Sequence, residues 1–432
     1  MNQSQIIQAD WTWTGRTFQP DVQVRIDDHG RIADVGPASG SPTLPLTDQA
    51  LLPGFVNVHS HAFQRGLRGY GESFPKGQGS FWTWRERMYE LVSQMTPDRL
   101  YDLTLQAYTE MRRTGITTVG EFHYLHHDES GVGFAMDQAL LRAARDAGIR
   151  LVLLECYYRT GAVGLPLRGG QLRFSTPSVS EFLKQIETLS RHLDSRLHSL
   201  AIAPHSIRAV PLEDIVELRQ YARRTCMVCH MHVEEQRREI EECQAFYHAT
   251  PMELILSHLD PDPTFTAIHC THTAPDELER YVRTGANVCL CPLSEANLGD
   301  GLPDVPRMRS GKGRVCLGTD SNARLCMTEE LRWLEYLQRL RCQQRGMIVD
   351  EQGDVAPALL EAATVNGAHA LQLQTGRIEK GHHADFLSLD LTDPALNGSS
   401  PDTLLTMFLL GVGEQAIAAT CIAGKWSERR RS

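Results

Sequence analysis

Residues 54–61 read GFVNVHSH, an apolar run that ends in two histidines separated by one serine. The run Phe55–Val58 is typical of a buried strand, and a buried polar side chain costs free energy unless something pairs with it. Because side chains alternate along a strand, His59 and His61 point to the same side and can reach one ion. The stretch therefore predicts a buried strand that ends in two metal ligands.

Seven further short apolar runs follow, and stretches with helical periodicity separate them. Two of these stretches, residues 98–115 and 136–149, end near a glycine, as C-capped helices do. Eight buried strands that alternate with helices predict an α/β fold, a closed parallel (β/α)8 TIM barrel. The predicted strands are residues 55–58, 117–121, 151–156, 200–203, 227–232, 267–269, 287–291 and 315–318.

Both ends of the chain show strand-like alternation instead. Examples are VQVRIDD at residues 22–28 and AIAATCIAGKWS at residues 416–427. The simplest arrangement joins the two ends into one small domain beside the barrel. We therefore predict a small β-sandwich domain from residues 1–50 and 375–432, and a metal-dependent barrel domain from residues 51–374.

Composition and charge limit the classes of partner and the compartment that we expect for this protein. The net charge of the 432 residues is −10, and no long basic block precedes Arg429–Arg431, which argues against nucleic acid. No apolar run approaches the roughly 20 residues of a membrane helix, and Met1–Ser4 shows no start of a signal peptide. The 11 cysteines have no regular spacing and are expected to be reduced and mostly buried. These features predict a cytoplasmic protein that does not bind membranes.

Polar side chains recur at the carboxyl ends of the predicted strands, which is where barrels of this type place their active sites. Scattered structural histidines would not fall there repeatedly. These residues are His59, His61, Glu121, Tyr124, His205, Arg208, His230, His232, Glu235, His269, His272 and Asp320.

Four of these side chains form a candidate ligand set: His59, His61, His232 and Asp320. Three nitrogens and one oxygen suit zinc, with iron or manganese as alternatives, and one ion per subunit is expected. Zinc lowers the pKa of bound water towards about 7, so the set favours a hydrolytic or deaminating reaction. The sequence has no GxGxxG dinucleotide motif and no P-loop.

Four stretches together resemble the amidohydrolase superfamily, and the resemblance covers nearly the whole chain. They are PGFVNVHSH at 53–61, His232–Glu235, His269 and GTDS at 318–321. The resemblance implies the single-metal deaminase branch. Two-metal members usually have a modified lysine at the end of strand four, where this chain has Ala203-Pro204-His205.

Within that branch the chain resembles the formimidoylglutamate deiminases. The stretches that carry this resemblance are HAFQRGLRG at 61–69, FWTWRERMY at 81–89, GEFHYLHH at 120–127 and APHSIRAV at 203–210. That family converts N-formimidoyl-L-glutamate and water to N-formyl-L-glutamate and ammonia in histidine degradation. The resemblance also implies a homodimer.

A substrate with two carboxylates explains two of the arginines. A planar guanidinium pairs bidentately with a carboxylate, and Arg85 and Arg208 are placed for that role. The resemblance points to the same two residues. The glycine-rich loop at residues 69–82 could fold over the site and bring Arg85 in. The further predicted substrate contacts are Gln64, Tyr124, His205 and Ser321.

The resemblance assigns three catalytic roles. Asp320 takes the proton of the attacking water, His269 hydrogen-bonds the hydroxide or the tetrahedral centre, and Glu235 carries protons to the leaving nitrogen. Glu234 is the alternative acid. Because the spacing His-x-x-Glu fits Glu235, Glu234 is expected to be solvated or ion-paired.

Other interpretations stay open. A related deaminase of guanine or an adenosine derivative would use the same metal site, and another N-formimidoyl amino acid such as the aspartate analogue would use the same chemistry. A catalytically dead barrel that serves as a scaffold would be expected to have lost ligands. His123, His126 and His127 could form a second metal site, but we favour a polar loop with Tyr124 as its functional member.

Overall fold

The computed structural model describes residues 5–70, 72–74, 77, 79–128, 130 and 133–427. The predicted features at residues 1–4 and in the Arg429–Arg431 tail lie outside these residues. The described strands are β1 Gln5–Trp13, β2 Phe18–Gln19, β3 Val22–Ile26, β4 Ile32–Pro37, β5 Leu44–Pro53, β6 Phe55–Ser60, β7 Ile116–His123, β8 Arg150–Tyr157, β9 His198–Pro204, β10 Cys229–Val233, β11 Phe265–His269, β12 Asn287–Leu290, β13 Arg314–Leu317, β14 Phe386–Asp390, β15 Ile417–Ile422 and β16 Lys425–Trp426.

Helices follow most of the barrel strands, and none of those described is both long and apolar enough to cross a membrane. The described α-helices are α1 Phe81–Ser93, α2 Pro97–Arg113, α3 Ala135–Ala147, α4 Val179–Ser190, α5 Leu212–Arg224, α6 Arg237–Tyr247, α7 Pro251–His258, α8 Pro275–Arg283, α9 Pro292–Leu298, α10 Val305–Ser310, α11 Met327–Cys342, α12 Val355–Ala363, α13 Val365–Ala370 and α14 Leu404–Thr406.

Strands β6 to β13 form one parallel sheet in chain order. The sheet closes between its first and last strands. The amides of Thr319 and Asp320 donate to the carbonyl of His59 at 2.9 and 3.0 Å, and the amide of His61 donates to the carbonyl of Asp320 at 2.9 Å. Each of the eight predicted runs falls on one of these strands to within two residues at its ends, so the predicted barrel is confirmed.

The barrel strands are largely buried on both faces, as parallel strands covered by helices should be. Every residue of β6, β7 and β8 is buried. The predicted helices also form: α2 lies within residues 98–115 apart from its first residue, and α3 ends at Gly148 with a φ of 65°. That left-handed conformation favours glycine, which explains where the helix stops.

The remaining strands form a second, mixed sheet with the order β16-β15-β14-β5-β1-β3-β4, and β2 pairs with β1. Both chain ends contribute to it, which confirms a small β-domain beside the barrel. Strand β5 continues to Pro53. The division at residues 50 and 375 stays a prediction. All 11 cysteines are free thiols and nine are buried, as expected.

A buried ion pair joins the two sheets at the amino-terminal end of the barrel. Arg150, the first residue of β8, donates from Nε and Nη2 to Asp385 at 2.6 and 3.0 Å. The same carboxylate accepts bonds from the Thr375 hydroxyl at 3.1 Å and the Ala423 amide at 2.8 Å. Four donors therefore satisfy one buried carboxylate.

Candidate metal centre and active site

A network of buried polar side chains joins β6 to β13 where the barrel closes. Asn57 donates to the Thr319 hydroxyl at 2.7 Å and accepts from the Thr319 amide at 3.0 Å. Thr319 in turn donates to Asn322 at 2.7 Å, and Asn322 donates to Ser60 at 3.0 Å. The polar Asn57 inside the apolar run is thus explained, because it fixes the register of the two strand ends.

The four predicted ligands meet directly above this network. Oδ1 of Asp320 lies 3.2 Å from Nε2 of His59 and 3.3 Å from Nε2 of His61. Nε2 of His232 lies 3.2 Å from Nε2 of His59. All four side chains are buried, and their ligand atoms lie within 4.8 Å of one another.

The second ring nitrogens of His61 and His232 are held in a way that fits a cation, whereas that of His59 has no hydrogen-bond partner among the described residues. Nδ1 of His61 lies 2.9 Å from the Phe122 carbonyl, and Nδ1 of His232 lies 3.1 Å from the His205 carbonyl. A carbonyl only accepts, so both Nδ1 atoms carry the proton and both Nε2 lone pairs point into the cluster. Metal-ligating histidines are held in this way.

The electrostatics favour neutral imidazoles beside a carboxylate. Burial lowers the pKa of His59 to about 3, although its hydrogen bond with Asp320 opposes the shift. Burial and the neighbouring imidazoles hold the pKa of His232 well below its usual value. Burial opposes ionisation of Asp320, but its close contacts with the imidazoles of His59 and His61 keep its pKa well below the usual range. Neutral histidines and an ionised aspartate are the forms that bind metals.

His269 lies between two carboxylates beside the cluster. Its Nδ1 is 3.2 Å from Oε1 of Glu295, and its Nε2 is 3.9 Å from Oε1 of Glu235. Burial disfavours the imidazolium, but the charge of Glu235 and the contact with Glu295 raise the pKa of His269 to about 10. The backbone is left-handed here, with φ of 76° at His269 and 44° at Asp320. Such backbone strain concentrates at functional sites.

Arg208 lies at the site but is already paired. Its Nη2 contacts Oε2 of Glu235 at 2.6 Å, and its Nη1 contacts Oε2 of Glu239 at 3.1 Å. Arg208 therefore holds Glu235 in place, in addition to its predicted role as an anchor for a substrate carboxylate. The expectation for Glu234 is wrong, because that side chain is fully buried and accepts a bond from the Met252 amide at 3.0 Å.

A cavity of about 40 Å³ opens beside the cluster, and helix α1 forms one wall of it. Ser80 and Thr83 start α1 with reciprocal side-chain caps. Residues 71, 75, 76 and 78 of the predicted glycine-rich lid lie outside the described residues. The cavity is lined by His61, Gln64, Phe81, Trp84, Arg85, Met88, Tyr89, Tyr124, Tyr158, Phe174, His205, Arg208, His232, Glu235, Leu298 and Asp320.

The polar wall of the cavity holds most of the predicted substrate contacts. Gln64 donates to the Tyr124 hydroxyl at 2.8 Å. Arg85 donates to the Tyr89 hydroxyl and, at 3.3 Å, to the Gly161 carbonyl. Both partners are uncharged, and no ion pair of Arg85 is found within the described part of the chain. Its positive charge is therefore available to an anion.

Ser321 differs from the other predicted contacts. Its hydroxyl lies 2.8 Å from the Ser294 hydroxyl, and its amide donates to the same atom at 3.1 Å. The side chain is thus committed to the loop after β12, and its role as a substrate contact stays a prediction.

Sequence reasoning missed two acids. Glu295 accepts from the Cys291 amide at 2.9 Å and orients His269. Glu239 is the second partner of Arg208 and lies in the first turn of α6, whereas Glu235 precedes that helix. The sequence therefore gave no spacing signal for Glu239, and none for Glu295, which is 26 residues from His269.

Comparison with known proteins places the chain. A sequence model of the Amidohydrolase family matches residues 50–426, and the chain belongs to that family. A formimidoylglutamate deiminase from Pseudomonas aeruginosa is 36% identical over 415 residues, which cover 95% of this chain and 91% of the relative.

More distant relatives are also deaminases. A 5-methylthioadenosine/S-adenosylhomocysteine deaminase from Syntrophomonas wolfei is 29% identical and covers 80% of this chain, which spans 74% of that relative. Among solved structures, an amidohydrolase from Brucella melitensis is 31% identical with a TM-score of 0.90, covering 98% of this chain and 95% of that one. A zinc-bound adenosine deaminase from Xanthomonas campestris, 24% identical with a TM-score of 0.81, covers 99% of this chain and 93% of its own and shares the fold.

Proposed function

We propose that this protein is a zinc-dependent deiminase that hydrolyses N-formimidoyl-L-glutamate to N-formyl-L-glutamate and ammonia, a step of histidine degradation. The observation that carries the proposal is Arg85, which has no ion pair among the described residues and lies in the cavity beside the His59–His61–His232–Asp320 cluster. The 36% identical relative supports the same substrate.

Arg85 binds one substrate carboxylate. Its present contacts are a hydroxyl and a carbonyl, which a carboxylate outcompetes because charge-assisted hydrogen bonds are about twice as strong as neutral ones. Arg208 lies across the cavity and binds the second carboxylate through donors that Glu235 and Glu239 leave open.

Tyr124 and His205 orient the substrate between the arginines. Burial keeps the pKa of Tyr124 well above its usual value, so the phenol stays protonated. Because its oxygen already accepts from Gln64, its own proton can be donated to the substrate. Burial and Arg208 keep the pKa of His205 well below the usual value, so this imidazole binds as a neutral group.

The chemistry divides among three residues. His59, His61, His232 and Asp320 would hold a zinc ion, which would supply a Lewis acid able to lower the pKa of water at neutral pH. Asp320 accepts the proton of the attacking water at a carboxylate oxygen. Glu235, oriented by Arg208, carries protons to the formimidoyl nitrogen so that ammonia leaves. His269, oriented by Glu295, hydrogen-bonds the developing tetrahedral centre.

The substrate assignment is tested by ammonia release from a panel of compounds. Zinc-loaded protein is expected to release ammonia from N-formimidoyl-L-glutamate, and more slowly from the aspartate analogue, because that chain is one methylene shorter between the two carboxylates that the arginines bind. Guanine and adenosine are expected to give none. Fast release from a nucleobase would contradict the proposed substrate and leave the metal site standing. The expected cytoplasmic location and homodimer stay predictions.

A further inference from the structure

A second histidine–carboxylate cluster lies behind the barrel wall, away from the cavity. His123 ends strand β7, His126 follows it, Asp137 comes from α3 and Glu155 from β8. All four side chains are at most 1% exposed. The sequence favoured a polar loop here, because nothing in it showed that α3 and β8 add carboxylates.

The ligand atoms of His123, His126 and Asp137 lie within 4.8 Å of one another, as those of the candidate metal centre do, and Glu155 adjoins this group through His126. Oδ1 of Asp137 lies 3.1 Å from Nε2 of His123 and 2.9 Å from Nδ1 of His126. Nδ1 of His126 also lies 3.3 Å from Oε1 of Glu155. Four ligands placed about 2.0–2.1 Å from zinc in a tetrahedron are separated by roughly 3.3 Å.

The protonation of His126 indicates that a proton or a cation lies between its ring and the carboxyl groups of Asp137 and Glu155. Its Nε2 lies 2.7 Å from the Cys156 carbonyl, which only accepts, so Nε2 carries a proton. In the neutral ring, the Nδ1 lone pair then faces two carboxylates, and only a proton or a cation removes that repulsion. The same arrangement holds His61 and His232 in the first cluster.

The carboxyl groups of Asp137 and Glu155 differ in the hydrogen bonds that they accept. Oδ2 of Asp137 accepts from Gln185 at 2.8 Å, as ligating carboxylates are usually supported by a further hydrogen bond. Neither oxygen of Glu155 has a hydrogen bond of acceptable geometry in the described residues, although the side chain is fully buried. A buried carboxylate without a hydrogen bond is costly, so Glu155 needs either a proton, which it can share with Asp137, or a cation.

We propose that His123, His126, Asp137 and Glu155 form a second, structural site for a divalent cation of the zinc class. Two neutral imidazoles and two carboxylates carry a charge of −2, which one divalent ion neutralises. Four protein ligands leave no open position, which is typical of structural zinc. The ion would join α3 to β7 and β8 and hold the loop that carries Tyr124.

Anomalous diffraction at the zinc edge tests the proposal on the full chain loaded with zinc chloride. Two peaks per subunit are expected, with the second peak about 2.0–2.2 Å from Nδ1 of His126 and from Asp137. A single peak at the barrel mouth, with zinc saturating at one equivalent, would overturn the proposal. That result would mean that Glu155 is protonated and that protons alone hold the cluster together.

Matched variants separate this site from the first. Glu155→Gln is expected to bind one zinc per subunit, at the barrel mouth. Asp320→Asn is expected to keep the second zinc. The control Glu330→Gln changes another fully buried carboxyl, which accepts from the Leu293 amide at 2.9 Å, and should keep two. Two full equivalents of bound zinc in Glu155→Gln would overturn the proposal. If that variant does not fold, the anomalous map of the wild-type protein decides.

Discussion

The two ends of the barrel differ in how fully their buried polar and charged groups are hydrogen-bonded. At the amino-terminal end, Asp385 accepts four hydrogen bonds, two of them from Arg150. At the mouth, some buried polar atoms have no hydrogen bond within the described part of the chain, among them Nε2 of His269 and Oε2 of Glu295. Unsatisfied buried groups are rare and call for an explanation. The paired end stabilises the fold, whereas the mouth is arranged for a metal and a substrate.

The largest effect is expected from Asp320→Asn at the mouth. Asp320 is both a proposed ligand and the proton acceptor, so kcat should fall by about 10⁴-fold, the upper end of what a proton-transfer group contributes. Steady-state ammonia release checks this. A fall in kcat of less than tenfold in the zinc-saturated variant would contradict a role for Asp320 in proton transfer.

The next largest effect should come from Glu235→Gln. It removes the proposed proton carrier and should lower kcat about 10³-fold while zinc at the mouth is retained. The matched control is Glu234→Gln, which changes the adjacent buried acid and should lower kcat less than about tenfold. Equal losses in both variants would contradict the assignment of roles.

Asp385→Asn should affect stability and spare activity. Breaking a buried ion pair by removing one partner costs about 3–5 kcal/mol, because Arg150 is left buried without its carboxylate. Urea unfolding measures the loss, and kcat of the folded variant at 25 °C should stay within twofold of wild type. A large fall in kcat at full folding would show that the two ends are coupled.

Arg85→Gln should act on substrate binding. Hydrogen bonds to charged groups contribute about 1.5–3 kcal/mol, so kcat/KM should fall roughly 10- to 150-fold, mostly through KM. Arg87→Gln is the control on the same helix, since Arg87 is exposed and pairs with Glu90 at 2.9 Å. An unchanged KM in Arg85→Gln would argue for a nucleobase substrate.

The smallest effect is expected in the dependence of the unfolding free energy on acidic pH. Burial opposes ionisation of Asp385, but Arg150 holds its pKa below the usual value. The unfolded state therefore takes up the proton first, and the stability from this pair is present above about pH 4 and lost as the pH falls further. The difference in unfolding free energy between wild type and Asp385→Asn should shrink from pH 7 to pH 3. A difference that stays constant would contradict the assigned pair.

Features that depend on neighbours in the chain were predictable. Apolar runs of strand length gave all eight barrel strands, and the two-residue spacing of His59 and His61 placed both on one side. Features that depend on contacts between distant elements were not. The pairing of Arg208 with Glu235, the contact of Glu295 with His269 and the burial of Glu234 arise only when separate strands and loops meet at the mouth.

Zinc titration of the chelator-stripped protein during turnover of N-formimidoyl-L-glutamate is the most direct test of a metal-dependent deiminase at this site. We predict no ammonia from stripped protein, recovery as zinc fills the mouth cluster in wild type and Asp385→Asn, and none in Asp320→Asn. Full activity of stripped protein, or recovery in Asp320→Asn equal to wild type, would contradict a metal-dependent deiminase at this site.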